Sequence, residues 1–180
     1  MKNKIIKNAF LCLFAGILLV GACSKDKKKG DNLTFNQTYF FEMTIDGKLY
    51  KWTGGAPGVT ETGQCTYYDT GVEAAISMAL GPASSIRPLI VGVLFPSGTG
   101  KFTLNPSSGE QGFACIIDGV TGYSSLDRGG NVVLEINAIS KEYYGPVSGS
   151  VNGTLGEELP DGTYKIHTIS GTFTASNLTY

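Results

Sequence analysis

The sequence predicts an all-β domain: an antiparallel two-sheet sandwich of about nine strands, with a closed β-barrel as the alternative. Three observations carry that reading. Apolar and polar residues alternate with a period of two along many short segments, as strands with one buried face require. The chain holds 25 Gly and only 16% charged residues, a balance that suits short strands joined by tight turns. Beyond the first 33 residues no segment carries a helical period.

Taken in order, Phe41, Met43 and Ile45 alternate with Glu42 and Thr44, and Asp46-Gly47 follows. That dipeptide is a strong signal for a two-residue hairpin turn. Lys48 to Thr53 returns as the second strand, with Tyr50 and the sole tryptophan, Trp52. Val59 to Tyr68 holds one strand around Cys65. Val72, Ala74, Ile76, Met78 and Leu80 alternate into Gly81-Pro82, which stops the strand.

Leu89 to Phe95 is apolar at nearly every position, the pattern of a strand covered on both faces. Lys101 to Leu104 and Phe113 to Ile117 come next, then Val132, Leu134, Ile136 and Ala138 on one face of another. Tyr164 and Ile166 have the opposite parity to Ile169, Phe173 and Ala175, so a bulge near His167-Thr168 is expected. Val147-Ser148-Gly149-Ser150-Val151 is echoed by Ile169-Ser170-Gly171-Thr172-Phe173. The repeat predicts neighbouring strands whose glycines admit a close backbone or a covering aromatic ring.

The segment Met43 to Trp52, with Thr44-Ile45-Asp46-Gly47 inside it, precedes the strand pair Val147 to Leu155 and Lys165 to Ala175. In this arrangement the chain resembles the small uncharacterised β-sandwich lipoproteins of the Bacteroidetes. The resemblance implies a fold and an address, and brings no catalytic residues with it.

The first residues agree with that address. Lys2, Lys4 and Lys7 precede an apolar run from Ala9 to Val20, too short for a membrane span of about 20 residues. Leu19-Val20-Gly21-Ala22-Cys23 resembles a bacterial lipobox. The resemblance implies cleavage before Cys23 and lipidation of that residue. Residues 1–22 then form a signal peptide, 23–33 the lipidated cysteine and a polar tether rich in lysine, and 34–180 the all-β domain. Ser24 fits passage to the outer membrane. Lysines stand where surface-exported lipoproteins carry an acidic cluster, and either face of that membrane stays open.

From Leu33 to Tyr180 there are seven Lys and Arg against thirteen Asp and Glu, a net charge of −6. An acidic body without a basic stripe argues against nucleic acid as a partner. Its two cysteines, Cys65 and Cys115, are read as a disulfide, suited to an extracytoplasmic compartment and worth about 4 kcal/mol. Two buried free thiols are the other reading.

Catalytic apparatus is sparse. His167 is the sole histidine, with Asp161 the nearest acid in sequence, and a strand histidine is more often packed than basic. Pro96-Ser97-Gly98-Thr99-Gly100-Lys101 lacks the first glycine and the hydroxyl of a phosphate loop. Carboxylates such as Glu42, Asp69, Glu73, Asp118, Asp127 and Glu135 offer pairs for glycan hydrolysis. Glu157-Glu158 with Asp161 lacks the spacing of a calcium loop. No metal site and no cofactor are expected.

Tyrosines near turns are the remaining surplus: Tyr67, Tyr68, Tyr123, Tyr143 and Tyr144. They suit stacking on sugar rings or filling a partner's pocket, although one of each adjacent pair must face the core. The expected function is a lipid-anchored, non-catalytic binding or structural module of the cell envelope. Its partners are the membrane, through the anchor, and a glycan or envelope protein. The alternatives are a small glycan hydrolase with paired carboxylates and a barrel-type carrier of an apolar ligand.

Overall fold

The computed structural model describes residues 37–179 apart from 56–58, 61, 82–87, 120 and 127–128. The expected signal peptide, Cys23 and the tether lie outside the described residues, as does Asp127. Twelve strands are described: β1 (Tyr39–Ile45), β2 (Lys48–Gly54), β3 (Val59–Thr60), β4 (Gly63–Asp69), β5 (Glu73–Leu80) and β6 (Leu89–Pro96). They continue with β7 (Gly100–Leu104), β8 (Gly112–Ile117), β9 (Thr121–Ser124), β10 (Asn131–Ile139), β11 (Pro146–Glu158) and β12 (Tyr164–Asn177). The all-β expectation holds. The segment Val59 to Tyr68 divides into the hairpin β3–β4, and β9 is a strand that four half-buried residues did not announce.

All twelve belong to one hydrogen-bonded sheet in the order β2-β1-β12-β4-β5-β6-β8-β9-β11-β10-β7, with β3 on β4 and a further pairing of β11 with β12. That last pairing brings the ladder back on itself, through β12, β4, β5, β6, β8, β9 and β11. Two short contacts complete the loop: β12 meets β4 at Ser176–Asn177, and β9 meets β11 at Gly156–Glu157. The β12–β4 contact is parallel, a departure from the wholly antiparallel expectation.

The Asp46–Gly47 turn forms as its sequence requires, with φ of 47° and 80° at the two residues, the positive pair of a type I′ hairpin. The repeated motifs pair with each other, Gly149 opposite Phe173 and Val151 opposite Gly171. A side chain at Gly149 would strike the Phe173 ring, and one at Gly171 would lie 2.6 Å from the Glu42 carbonyl oxygen. Glycine is what lets these strands approach.

No bulge interrupts β12 at His167-Thr168: its register with β11 runs unbroken from Tyr164 to Ser176. His167 shares the inward face with Ile169, Phe173 and Ala175, and Tyr164 and Ile166 point outward, half exposed. The register shift that does occur lies between Ile136 and Ala138. It turns Ala138 outward and packs Ile139 on the core. Val72 sits in the turn before β5 with 78% exposure. Along β6, Ile90, Gly92 and Leu94 are half-buried, so that strand is covered less fully than its apolar run implied.

The expected disulfide is absent. Cys65 and Cys115 are free and buried. Pairing places Cys65 opposite Met78, Met78 opposite Val91 and Val91 opposite Cys115, so the cysteines stand three strands apart. At about 4.8 Å per strand this is roughly 14 Å, twice the reach of a disulfide at about 7 Å between Cα atoms. Burial pushes both thiols up, that of Cys115 to about 12. They serve as small apolar side chains of the core.

Candidate functional site

Two groups of polar and aromatic side chains stand out, at opposite ends of the β11–β12 hairpin. The first is built on His167. Its imidazole is inward-facing and only 5% exposed. Nδ1 lies 2.5 Å from Asp46 Oδ2 and Nε2 lies 2.9 Å from Glu157 Oε2. The β1–β2 turn supplies Asp46 because β1 pairs with β12 up to Ile45 and Ile169. β11 supplies Glu157 from a position diagonal to His167 across the hairpin. The Tyr123 ring of β9 meets the imidazole edge-on, with centroids 4.6 Å apart.

Asp46 is held three more times by Thr168, whose amide donates at 2.8 Å and whose hydroxyl donates at 3.2 Å to Oδ1, while its carbonyl accepts from the Asp46 amide at 3.0 Å. The hydrogen bond to His167, then that from the Thr168 amide, holds the Asp46 carboxyl below its ordinary range. Burial raises the Tyr123 phenol, and the Glu157 charge adds to it. With each imidazole nitrogen committed to a carboxylate, His167 has no lone pair aimed at a nucleophile, as a general base would need.

The second group surrounds the C-terminal end of β12. Tyr67 is wholly buried, its ring 6.3 Å from that of Phe95, and its hydroxyl donates to Asp69 Oδ2 at 2.6 Å. Ser97 Oγ donates to the same oxygen at 2.8 Å and the Gly71 amide to Oδ1 at 2.7 Å. Partial burial works to raise the Asp69 carboxyl, and these three donors outweigh it, leaving it lowered. Tyr68 points the other way and is 53% exposed.

Tyr143 and Tyr144 lie across β12 from this pair. The Tyr144 amide donates to the Asn177 carbonyl at 2.6 Å and the Leu178 amide to the Tyr67 carbonyl at 2.8 Å. The two rings are 4.0 Å apart at centroid with 40° between planes, and Tyr143 is exposed. Tyr144 adopts φ of 63°, uncommon for a bulky residue. Its carbonyl accepts from the Tyr39 hydroxyl. Of the five tyrosines singled out, then, four gather at this end with Tyr67 as core, and Tyr123 belongs to the histidine group.

The other acids do not converge. Glu42 pairs with Lys51 at 2.7 Å, Glu135 with Lys101 at 3.5 Å, and Asp118 with Lys48 at 4.0 Å. Asp161 accepts from Thr163 within its own turn. Among the described residues, no group of three or more His, Cys, Asp and Glu side chains could hold a metal ion. Sequence reading missed that Asp46 and Glu157 are the partners of His167. Its best signal was the register that the Asp46–Gly47 turn and the Ser-Gly motifs impose, which sets Ile45 beside Ile169. No family model, curated protein or solved structure matches the chain.

Proposed function

We propose that the chain is a lipid-anchored module of the cell envelope, held to the membrane through Cys23, that binds an envelope glycan and catalyses nothing. The observation that carries the binding site is the tilted, closely packed pair Tyr143–Tyr144 beside β12, with exposed Tyr68 on its other flank. Such rings are rigid, amphipathic platforms for a sugar face. The engagement of both His167 nitrogens supports the non-catalytic half. The lipobox residues and the resemblance to β-sandwich lipoproteins support the address. For the fold, the reading is two layers joined at their corners, β2-β1-β12-β11-β10-β7 over β4-β5-β6-β8-β9. It is supported by Trp52 of β2 packed over Gly63 of β4, and by Phe102 of β7 5.2 Å from Phe95 of β6.

Titration calorimetry with peptidoglycan fragments and envelope glycans tests the site. Changing Tyr68, Tyr143 or Tyr144 to Ala should cost about 1–3 kcal/mol of binding at one or two positions, with Tyr123→Ala neutral. Loss at Tyr123 alone would move the site to the other end. The hydrolase reading has one observation in its favour, the convergence of Asp46 and Glu157 on His167. Glycan turnover abolished by Asp46→Asn or Glu157→Gln would replace binding with hydrolysis.

A further inference from the structure

Among the described residues the ladder is closed at one corner by two residue pairs, Gly156 with Ser124 and Glu157 with Tyr123. Glu157 is the residue whose carboxylate meets His167 Nε2, and Tyr123 the one whose ring lies against the imidazole. The cluster therefore sits on this closure and ties it to the β1–β2 turn. A carboxylate only accepts hydrogen bonds, and a neutral imidazole donates from one nitrogen alone. Both contacts are hydrogen bonds only while both ring nitrogens carry hydrogen. We propose that Asp46, His167 and Glu157 form a pH-operated latch on the β9–β11 contact, shut with His167 as imidazolium and released when it gives one proton to solvent.

The geometry says which contact opens. Asp46 keeps its Thr168 bonds in either state, so the remaining proton stays on Nδ1, facing it. The Nε2 lone pair then faces a Glu157 oxygen at 2.9 Å with no proton between them. Glu157 is already 22% exposed and turns to water. Asp46 faces the ring from the turn, Glu157 from β11 and Tyr123 from β9. Tyr50 of β2 and Cys115 of β8 lie close enough to act on Tyr123. Lys165 stands opposite Glu157 in the β11–β12 register, yet among the described residues no Lys or Arg forms an ion pair with Asp46 or Glu157, and the Lys48 ammonium lies over the Tyr50 ring and 4.0 Å from Asp118. The imidazolium is the counter-charge of both carboxylates.

The test uses the full chain, whose single histidine gives one imidazole Cε1–H resonance. Hydrogen-exchange protection is followed at Ser124 and Gly156, with Thr66 and Ser176 as an internal control, from about pH 5 to about pH 8 and above. Protection at Ser124 and Gly156 should fall about tenfold in step with the imidazole signal, while the control pair holds. In Glu157→Gln the side-chain amide donates to a neutral Nε2 and its oxygen accepts from a protonated one. That variant should keep the contact protected throughout. Protection that ignores the imidazole titration overturns the latch. So does an unchanged transition in Glu157→Gln, or an imidazole that is never cationic in the folded protein.

Discussion

The two contacts that close the ladder are alike in length and unlike in what holds them. Each is two residues long. At β9–β11 the reinforcement is a buried imidazole held between two carboxylates. At β12–β4 it is a run of amide and hydroxyl bonds: the Leu178 amide donates to the Tyr67 carbonyl and the Asp69 amide to the Thr179 hydroxyl, while beside them Asn177 donates to the Ser140 and Gly145 carbonyls and accepts from the Tyr144 amide. Buried ion clusters add little net stability over apolar packing but are costly to break by halves. Neutral bonds contribute about 1 kcal/mol each and do not depend on charge. One corner is thus sensitive to protons and the other is built to be indifferent, apart from Asp69.

The largest difference should appear on truncation. Tyr67→Ala empties a wholly buried site beside Phe95 and should cost about 3–5 kcal/mol in denaturant unfolding. Tyr123→Ala removes a ring that is only half-buried and should cost about 1–2 kcal/mol. Equal losses would mean that the two corners are packed alike.

A smaller effect separates charge from shape. Asp46→Asn keeps a favourable type I′ dipeptide with Gly47 and removes one of the two carboxylate partners of His167. With the carboxyl side chain 46% exposed, the expected loss is about 1 kcal/mol at neutral pH. The Asp46 carboxyl is lowered in the fold. Its contribution is therefore present above the unfolded value near pH 3.9 and disappears as pH falls through the lower folded value. The difference between wild type and variant should accordingly vanish in acid. Asp69 is also lowered, so acid weakens both corners in that window.

The smallest expected effect is none. Reducing agent should leave the unfolding midpoint unchanged, and in unreduced, denatured protein Cys65 and Cys115 should each take up one maleimide by peptide mapping. A shifted midpoint would indicate a bridge that the strand order forbids.

Local signals were right at several strands and turns, while β9, which lacks alternation, and the turn between β3 and β4 left none to read. Asp46-Gly47 specified its hairpin, and the Ser-Gly motifs specified adjacent strands. Failures came where parity depended on a partner. Tyr164 and Ile166 have the apolar character of core residues, but the hairpin outruns β1 there and exposes them, so their parity implies no bulge at His167. The cysteines looked like a natural pair until strand order set β5 and β6 between them. The tyrosines were named one by one, yet what sorts them into two groups is the distance along β12. From His167 to Asn177 this is ten residues, roughly 33 Å at about 3.3 Å each.

Of the described strands β12 comes last along the chain, and it lies within the sheet, with β11 on one edge and β1 and then β4 on the other. Phe40 must wait for Thr174, and closure over such separations is slow. Until residues 164–177 leave the ribosome, β1 and β4 each carry a bare edge, the kind of template on which chains aggregate. Acquisition of this fold is therefore a late, nearly all-or-nothing event. A chain lacking only the 14 residues of β12 would lose the closure of the ladder as well as that strand.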